Sequence, residues 1–575
     1  MSKRRKGNAM ERKGKPEILS PAGNFEVLKA AVYAGADAVY IGGTQFNARM
    51  NAKNFDRQTI KEAVEFCHQR GVKLYVTLNT LIYDRQMKDA LEFAGFLYKT
   101  GVDALIVADL GLASLIRESY PGVRLHASTQ CSGHNSDAAK FLANLGFSRM
   151  VCARELSEEN IRLLTKNSPI EIEAFVHGAL CVSQSGQCLM SSLIGGRSGN
   201  RGECAQPCRL PYNGRYPLSL KDNCLAAHVT KLIEMGVSAL KIEGRMKSAD
   251  YVYSVVSLYR RLVDDSRNAT AGEINDLMAV FSRQGFTDGY FTGRIDEKML
   301  GIRSESDKQA TKSASVNIVD KGYSKEPIVK EEIQEVLVKC PPFPKSDLGR
   351  KKRSARFYKI ENIPDIARDY FEEIYLPLDR FQKGAANGVV LPPVIPENEM
   401  EKVKQDLEKA CKMGARFALV GNIGHIEMAK NAGLEIRGDY RLNVYNSFSA
   451  DLFTSFFKEI MLSPELILPQ IRDIKCAKSV IVYGKQPVMT LEKPVKTEIL
   501  KDRRGISFPV VSEGGREIVL NSVPTYMADY SDRLSAAGIE NMHFIFTDEG
   551  KRGSEAVIKA YIQKLPTKKE IRRIK

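Results

Sequence analysis

The chain has 575 residues, 43% hydrophobic and 27% charged, the balance of a globular protein with a real core and a length that predicts two or three domains. It has no run of about eighteen apolar residues, which excludes a membrane-spanning helix. The start, MSKRRKGNAMERKGK, lacks the apolar segment of a secretory leader. The formal net charge is +16 and it is concentrated: residues 1–15 carry seven Lys/Arg against one Glu, 345–356 six against one Asp, and 564–575 six against one Glu, leaving the body near neutral.

Two basic tails and a basic island let a chain reach a polyanion without a basic fold surface, and three such clusters point towards nucleic acid. Solvated tails would look the same. With no leader, the expected setting is the reducing cytosol, where clustered cysteines bind metal or do chemistry more often than they form disulfides.

After the first tail, short apolar runs alternate with helical patterns. The runs are PEILSP (16–21), ADAVYIG (36–42), KLYVTLN (73–79), VDALIVAD (102–109), RLHAST (124–129), SRMVCA (148–153), IEIEAFV (170–176) and SALKIEG (238–244), with amphipathic segments such as TIKEAVEFCHQRG between them. Eight strand–helix units in succession predict a parallel, closed (β/α)8 TIM-like barrel over 16–300. The seventh connection is anomalous: Val176 to Ser238 is about sixty residues, and it holds the cysteine-rich loop 177–224. In a barrel such a loop lies on the C-terminal face of the strands, where active sites are built. Residues 301–356 are polar and Lys/Ser-rich and read as a linker or a small β module carrying the basic island. A C-terminal α/β region is expected over 357–563, followed by the basic tail.

That second region reads as a degenerate repeat of the first. Aligning 216–244 with 518–548 brings Leu218 onto Leu520, Leu232 onto Leu534 and Gly236 onto Gly538 at one offset, and FVHGAL (175–180) resembles IVYGKQ (481–486). Cys181 then faces Pro487 and Cys224 faces Tyr526. Copy one is expected to keep the chemistry and copy two to serve as scaffold or substrate platform.

Five of the 11 cysteines fall in one stretch, spaced Cys181-x6-Cys188-x15-Cys204-x3-Cys208-x15-Cys224. Structural zinc sites use paired C-x2-4-C knuckles, and only Cys204/Cys208 resembles one. Four thiolates from a long Gly-rich loop suit a four-iron cluster, with zinc the alternative. The other six cysteines read as small apolar fillers. KIEGRMKS (241–248) puts Lys241, Glu243 and Arg245 on one side of the eighth strand's exit, where they could hold an anionic or polar ligand. Glu243, Arg245 and His177 are the catalytic candidates, His177 because it lies four residues before Cys181. FNARMNAKNF (46–55) adds Asn47 and Arg49 on another top-face loop. The chain contains no H-E-x-x-H, G-x-S-x-G, Walker or G-x-G-x-x-G motif.

PEILSPAGNFEVLKAAVYAGADAVYIGG, EAFVHGALCVSQSGQCLMSSLIGGRSGNRGECAQPCRLPY and SLKDNCLAAHVTKLIEMGVSALKIEGRMKS together resemble the peptidase U-32 (collagenase-like) family, over roughly 16–300 and more loosely beyond. The LIGGRSGNRG-C-AQPCRLPY form is most similar to the branch that hydroxylates cytidine in 23S ribosomal RNA; related branches hydroxylate tRNA uridine. The resemblance implies a 4Fe-4S cluster on Cys181, Cys188 and Cys204, with Cys224 as fourth ligand in one branch and Cys208 in another. It also implies prephenate, a small dianion, as a required metabolite, for which Lys241, Arg245 and Arg49 are the plausible holders. The expected protein is therefore an iron–sulfur RNA hydroxylase acting on rRNA or tRNA. A peptidase built on Cys181 and His177, and a non-catalytic RNA-binding protein with a structural metal, are its rivals.

Overall fold

In a computed structural model the chain is described over residues 14–575, apart from 51, 304, 306, 308, 310–315, 332–338, 345–351 and 540. The first basic tail and most of the basic island lie outside the described residues.

All eight expected strands form. They are β1 (Glu17–Pro21), β2 (Ala38–Gly42), β3 (Lys73–Leu78), β4 (Ala104–Val107), β5 (Leu125–Ala127), β6 (Phe147–Val151), β7 (Glu171–Gly178) and, after a short extra strand β8 (Asp222–Cys224), β9 (Ala239–Ile242). Neighbours pair in parallel from β1 to β7, and β9 pairs with both β1 and β7, which closes the barrel. The extra strand β8 runs antiparallel along the end of β7, with β10 (Phe286–Thr287) beyond it. The strands are near-continuous apolar runs because a parallel barrel buries both faces. Polar residues at the strand exits start the helices: the side chains of Asn24, Asp109 and Asn135 each accept from a backbone N–H three residues on. Leu19, Ala38, Tyr40, Tyr75, Ala104 and Ile106 fill the barrel interior.

The C-terminal region is a second barrel. Its strands are β11 (Lys352–Phe357), β12 (Glu373–Pro377), β13 (Gly388–Val390), β14 (Phe417–Val420), β15 (Glu435–Gly438), β16 (Ile460–Met461) and β17 (Lys478–Gly484). A four-stranded antiparallel sheet follows, β18 (Pro487–Leu491), β19 (Ile499–Lys501), β20 (Ser507–Glu513) and β21 (Arg516–Leu520), then β22 (Thr525–Tyr526) and the closing strand β23 (Asn541–Phe546). β23 pairs in parallel with β11 and β17, and β16 with β17. The repeat read from the sequence is reproduced strand by strand. Gly178 pairs with Asn223 and His177 with Cys224 across β7 and β8; Gly484 pairs with Thr525 and Tyr483 with Tyr526 across β17 and β22.

Three expectations change. The second barrel starts at Lys352, not 357, because RSARF is its first strand, so part of the basic island is core: Arg356 is buried and ion-paired with Glu513. Among the described residues of 301–351 no strand forms, and a small antiparallel sheet, β18–β21, is instead inserted in the second barrel's seventh connection, where the first barrel has its cysteine loop. The last residues are docked: Arg572 bridges to Thr525, and Arg573 ion-pairs with Asp529.

The barrels meet through their β4- and β5-type exits in a pseudo-two-fold arrangement. Asn446 donates to Asp109 and Ile82 O (2.7 and 2.9 Å), and Asn135 donates to Ile395 O (2.9 Å). Asp84 accepts from the backbone and hydroxyl of Ser447; Glu397 accepts from the same groups of Ser136. Gly111 and Gly424 occupy equivalent positions, and a Cβ on either would collide with the other half. This is the self-complementary contact pattern of a two-fold dimer, within one chain.

Candidate active site

The strand exits of the first barrel converge on a cavity lined by Tyr40, Arg49, Thr77, Arg154, Lys241, Glu243 and Arg245, among others. The expected alternation along β9 holds, and Lys241, Glu243 and Arg245 all face it. Glu243 receives Arg49 at 3.2 Å and Arg154 at 3.5 Å. Burial opposes its ionisation, but these two arginines together with Arg245 hold its carboxyl below the usual range. Lys241 is tied to Glu173 at 2.8 Å, within a buried network that also joins Arg149 and Glu17. Arg245 has no carboxylate of its own. It donates to Asn47 (2.9 Å) and Thr77 (3.3 Å), and burial pulls its pKa down to about 10. Three guanidiniums over one carboxylate leave a buried positive excess, which suits an anionic ligand.

Backbone crowding shapes this mouth. A Cβ at Gly42 would strike the Arg245 guanidinium, and one at Gly178 (φ +103) would strike the Glu243 carbonyl. Glycine lets β2 and β7 pass close to the loop after β9.

Asn47 is not part of the cavity wall. It is fully buried, donates to Gly43 O and accepts from Arg245 and the Arg49 N–H, so it sets both arginines. His177 is also displaced from its expected role. At the bulge between Phe175 and His177 the ring turns outward and packs among Tyr251, Tyr259 and Phe286. It has no hydrogen-bond partner, and burial lowers its pKa to about 3. It is not among the residues that line the cavity.

The cysteine loop rims the same mouth. Cys181, Cys188, Cys204 and Cys208 lie within electrostatic reach of one another, Cys204 close to Arg49 and Cys181 close to Arg154. Cys224 is elsewhere, on β8, buried against Tyr259 and sensing Asp288 rather than the other thiols. The structure thus brings Cys208, not Cys224, to the other three. Burial first and mutual repulsion second push the Cys188 and Cys208 thiols up, Cys208 to about 12. Such a group resists losing protons unless a cation joins it, which is the condition a thiolate-bound metal centre meets. Among the described residues no set of three His, Cys, Asp or Glu side chains is tight enough for a single metal ion. The Gln206 N–H donates to Cys204 Sγ at 3.3 Å.

Sequence reasoning missed Arg154 and the buried pair of His134 and Glu155 (2.8 Å). Glu155 also accepts from the Ser185 backbone and hydroxyl, so the pair pins the start of the cysteine loop to the β5 and β6 exits. Arg154 follows SRMVCA by one residue, and its place at a strand exit was the available signal. The loop's other support is the second barrel's sheet: Gln184 N donates to Thr490 O, Leu189 N to Val488 O, and Cys188 and Cys208 pack on a core containing Val488, Leu491 and Phe508.

The second barrel's interior differs. Tyr358, Tyr375, Phe417 and Tyr440 fill its interior, and Glu513 from β20 is held by Arg356 and Arg441.

Fold and site together define a tandem (β/α)8-barrel protein whose first barrel carries a cationic, thiol-rimmed mouth. Residues 23–300 and 380–505 match the profile of peptidase family U32, and the chain belongs to that family. It is 44% identical over 286 residues to the 23S rRNA 5-hydroxycytidine C2501 synthase of Escherichia coli K12, covering 48% of this chain and 42% of that one. It is 42% identical over 267 residues to tRNA hydroxylation protein P1 of Bacillus subtilis 168, covering 44% and 63%. An uncharacterized protease of Methanocaldococcus jannaschii is 37% identical over 327 residues, covering 52% and 79%. The chain thus spans less than two thirds of the first two relatives. Among the described residues no helix is long and apolar enough to cross a membrane.

Proposed function

We propose that this chain is an RNA hydroxylase that forms 5-hydroxycytidine in 23S rRNA, with a 4Fe-4S cluster on Cys181, Cys188, Cys204 and Cys208 and a small dianion such as prephenate in the first barrel's mouth. The observation that carries this reading is the adjacency of two unusual groups: four clustered thiols, and the arginines Arg49, Arg154 and Arg245 around one carboxylate. The names of the two RNA-modifying relatives support the reaction class. When bound, the cluster would supply redox chemistry or activate the hydroxyl donor. Arg245 and Arg49 would bind and orient the dianion, Glu243 would offset the repulsion between the arginines and hold them around the cavity, and Asn47 would hold Arg245 in place. A base inside folded RNA would have to be splayed out to reach the cavity.

Mass spectrometry of rRNA from a deletion strain tests substrate and reaction together: one cytidine should lose the mass of one oxygen atom, and unchanged rRNA and tRNA maps would sink the proposal. Loss on a tRNA uridine instead would move the substrate to the second relative's class. The ligand set is tested on anaerobically purified protein. Serine at Cys181, Cys188, Cys204 or Cys208 should abolish the iron absorbance, whereas Cys224→Ser should keep it. The peptidase reading needs a thiol paired with an imidazole, and among the described residues neither ring nitrogen of His177 has a hydrogen-bond partner, its ring packing in an aromatic shell.

A further inference from the structure

Arg572 and Arg573 of the C-terminal tail and Arg356 of the basic island are tied into the fold, while Lys564, Lys568, Lys569 and Lys575 of the tail stay exposed. A further cationic surface, not evident in the sequence, lies beside the barrel mouth. Lys247, two residues after Arg245, sits over the Phe281 ring, and the Arg283 and Arg303 guanidiniums lie 5.7 and 4.6 Å from the same ring's centre. One carboxylate, Asp222, serves this group and is ion-paired with Arg283. Among the described residues Lys247 and Arg303 form no ion pair; Asp222 and Glu243 act on Lys247 only at longer range, and burial pulls its pKa down to about 7. Arg303 is exposed, as is Met246 next to Lys247.

The patch continues into an open groove. Gln284 and Ile302, the chain neighbours of Arg283 and Arg303, line it together with Arg215, Tyr216 and Lys496. Its one acidic member, Glu297, is neutralised by Lys493 at 2.9 Å. The groove runs beside the cysteine loop, since Tyr212 lines it and shares a core cluster with Cys188 and Cys208. Unpaired cations spaced along a groove with an exposed aromatic ring are what a single-stranded nucleic acid needs: charge for the backbone and a face for a base.

We propose that this strip seats single-stranded RNA on its way into the barrel mouth, Lys247 and Arg303 taking backbone phosphates and Tyr216 stacking on a base. The inference rests on the RNA reading of the mouth and adds the path by which the strand arrives. The full chain is titrated with a short fluorescent single-stranded RNA at several salt concentrations, followed by anisotropy. In the Lys247→Gln/Arg303→Gln double variant the slope of log affinity against log salt should fall by about 1.4, about 0.7 for each phosphate no longer neutralised. Arg303→Gln alone, an exposed change that leaves the core intact, should lower it by about half that. Tyr216→Ala should weaken binding about 5- to 100-fold with the slope unchanged, the worth of one stacked base.

Unchanged slopes in the charge variants overturn the strip, as does an equal effect from Lys412→Gln on the far side of the second barrel. An acidic peptide that binds as tightly as the RNA and is indifferent to Tyr216→Ala also overturns it, in favour of a protein partner. The two readings fail separately. Strip-dependent RNA binding with no oxygen added would fault the hydroxylase reading alone. Normal oxygen addition by the double variant with an unchanged slope would fault the strip alone.

Discussion

Three histidines, His177, His425 and His543, are buried with pKa values near 3, each chiefly because burial disfavours the imidazolium. An unfolded histidine titrates near 6.5. Below that pH the unfolded chain takes up protons that the folded chain refuses, so stability is full above about pH 6.5 and is lost as pH falls towards 3. Each such group costs about 2 kcal/mol at about pH 5. His177→Phe, which suits the surrounding rings of Tyr251, Tyr259 and Phe286, should therefore lose less thermal stability between neutral and mildly acid pH than the parent. A steeper loss in the variant would show that the ring is protonated in the folded protein. Residue chemistry was legible where type and strand position agreed: Lys241, Glu243, Arg245 and Arg49 all reach the mouth. It was illegible where a local irregularity decided orientation. The bulge at Phe175/His177 turns the imidazole outward, and no residue type in that stretch announces a bulge.

At the scale of elements, the cysteine loop is held from both sides, by the His134–Glu155 pair at its start and by the β18–β21 sheet beneath it. The loop is rich in glycine and has little core of its own. Leu491 is fully buried in the shared cluster, bridges to Ser183, and belongs to the second barrel's insertion. Leu491→Ala should cost about 2–5 kcal/mol. The loss should fall on the loop, so the iron of the proposed cluster should drop while far-UV circular dichroism stays near that of the parent. Retained iron with a lowered melting temperature would mean that the loop stands alone. The eight strands of the first barrel were legible because buried parallel strands are apolar runs between amphipathic helices. The second barrel was legible as a repeat but not as a closed barrel, since β13 and β16 have only three and two residues. The choice between Cys208 and Cys224 needed the fold: the family resemblance offers either as the fourth ligand, and the pairing of β8 with β7 carries Cys224 away.

At the scale of the whole molecule, the two barrels are joined by polar contacts that repeat about a pseudo-two-fold axis. The repeats differ in charge. Asn446 serves the buried carboxylate of Asp109, while its counterpart Asn135 serves a carbonyl. Asn446→Ala should cost about 1–3 kcal/mol for the donor that Asp109 would miss and about 1 kcal/mol more for the cap on Ser449. Asn135→Ala removes a comparable cap but strands no charge, so its cost should be smaller. Equal shifts in the unfolding midpoint would contradict this difference.

A homodimer with this interface would write every substitution twice, once in each mouth. Joining the copies in one chain frees them from that constraint. A carboxylate such as Glu513 could then enter one interior without touching the other, and that copy's surplus loop could become a floor for its twin's thiols. The covalent link between the halves is thus what allows the two barrel interiors to differ.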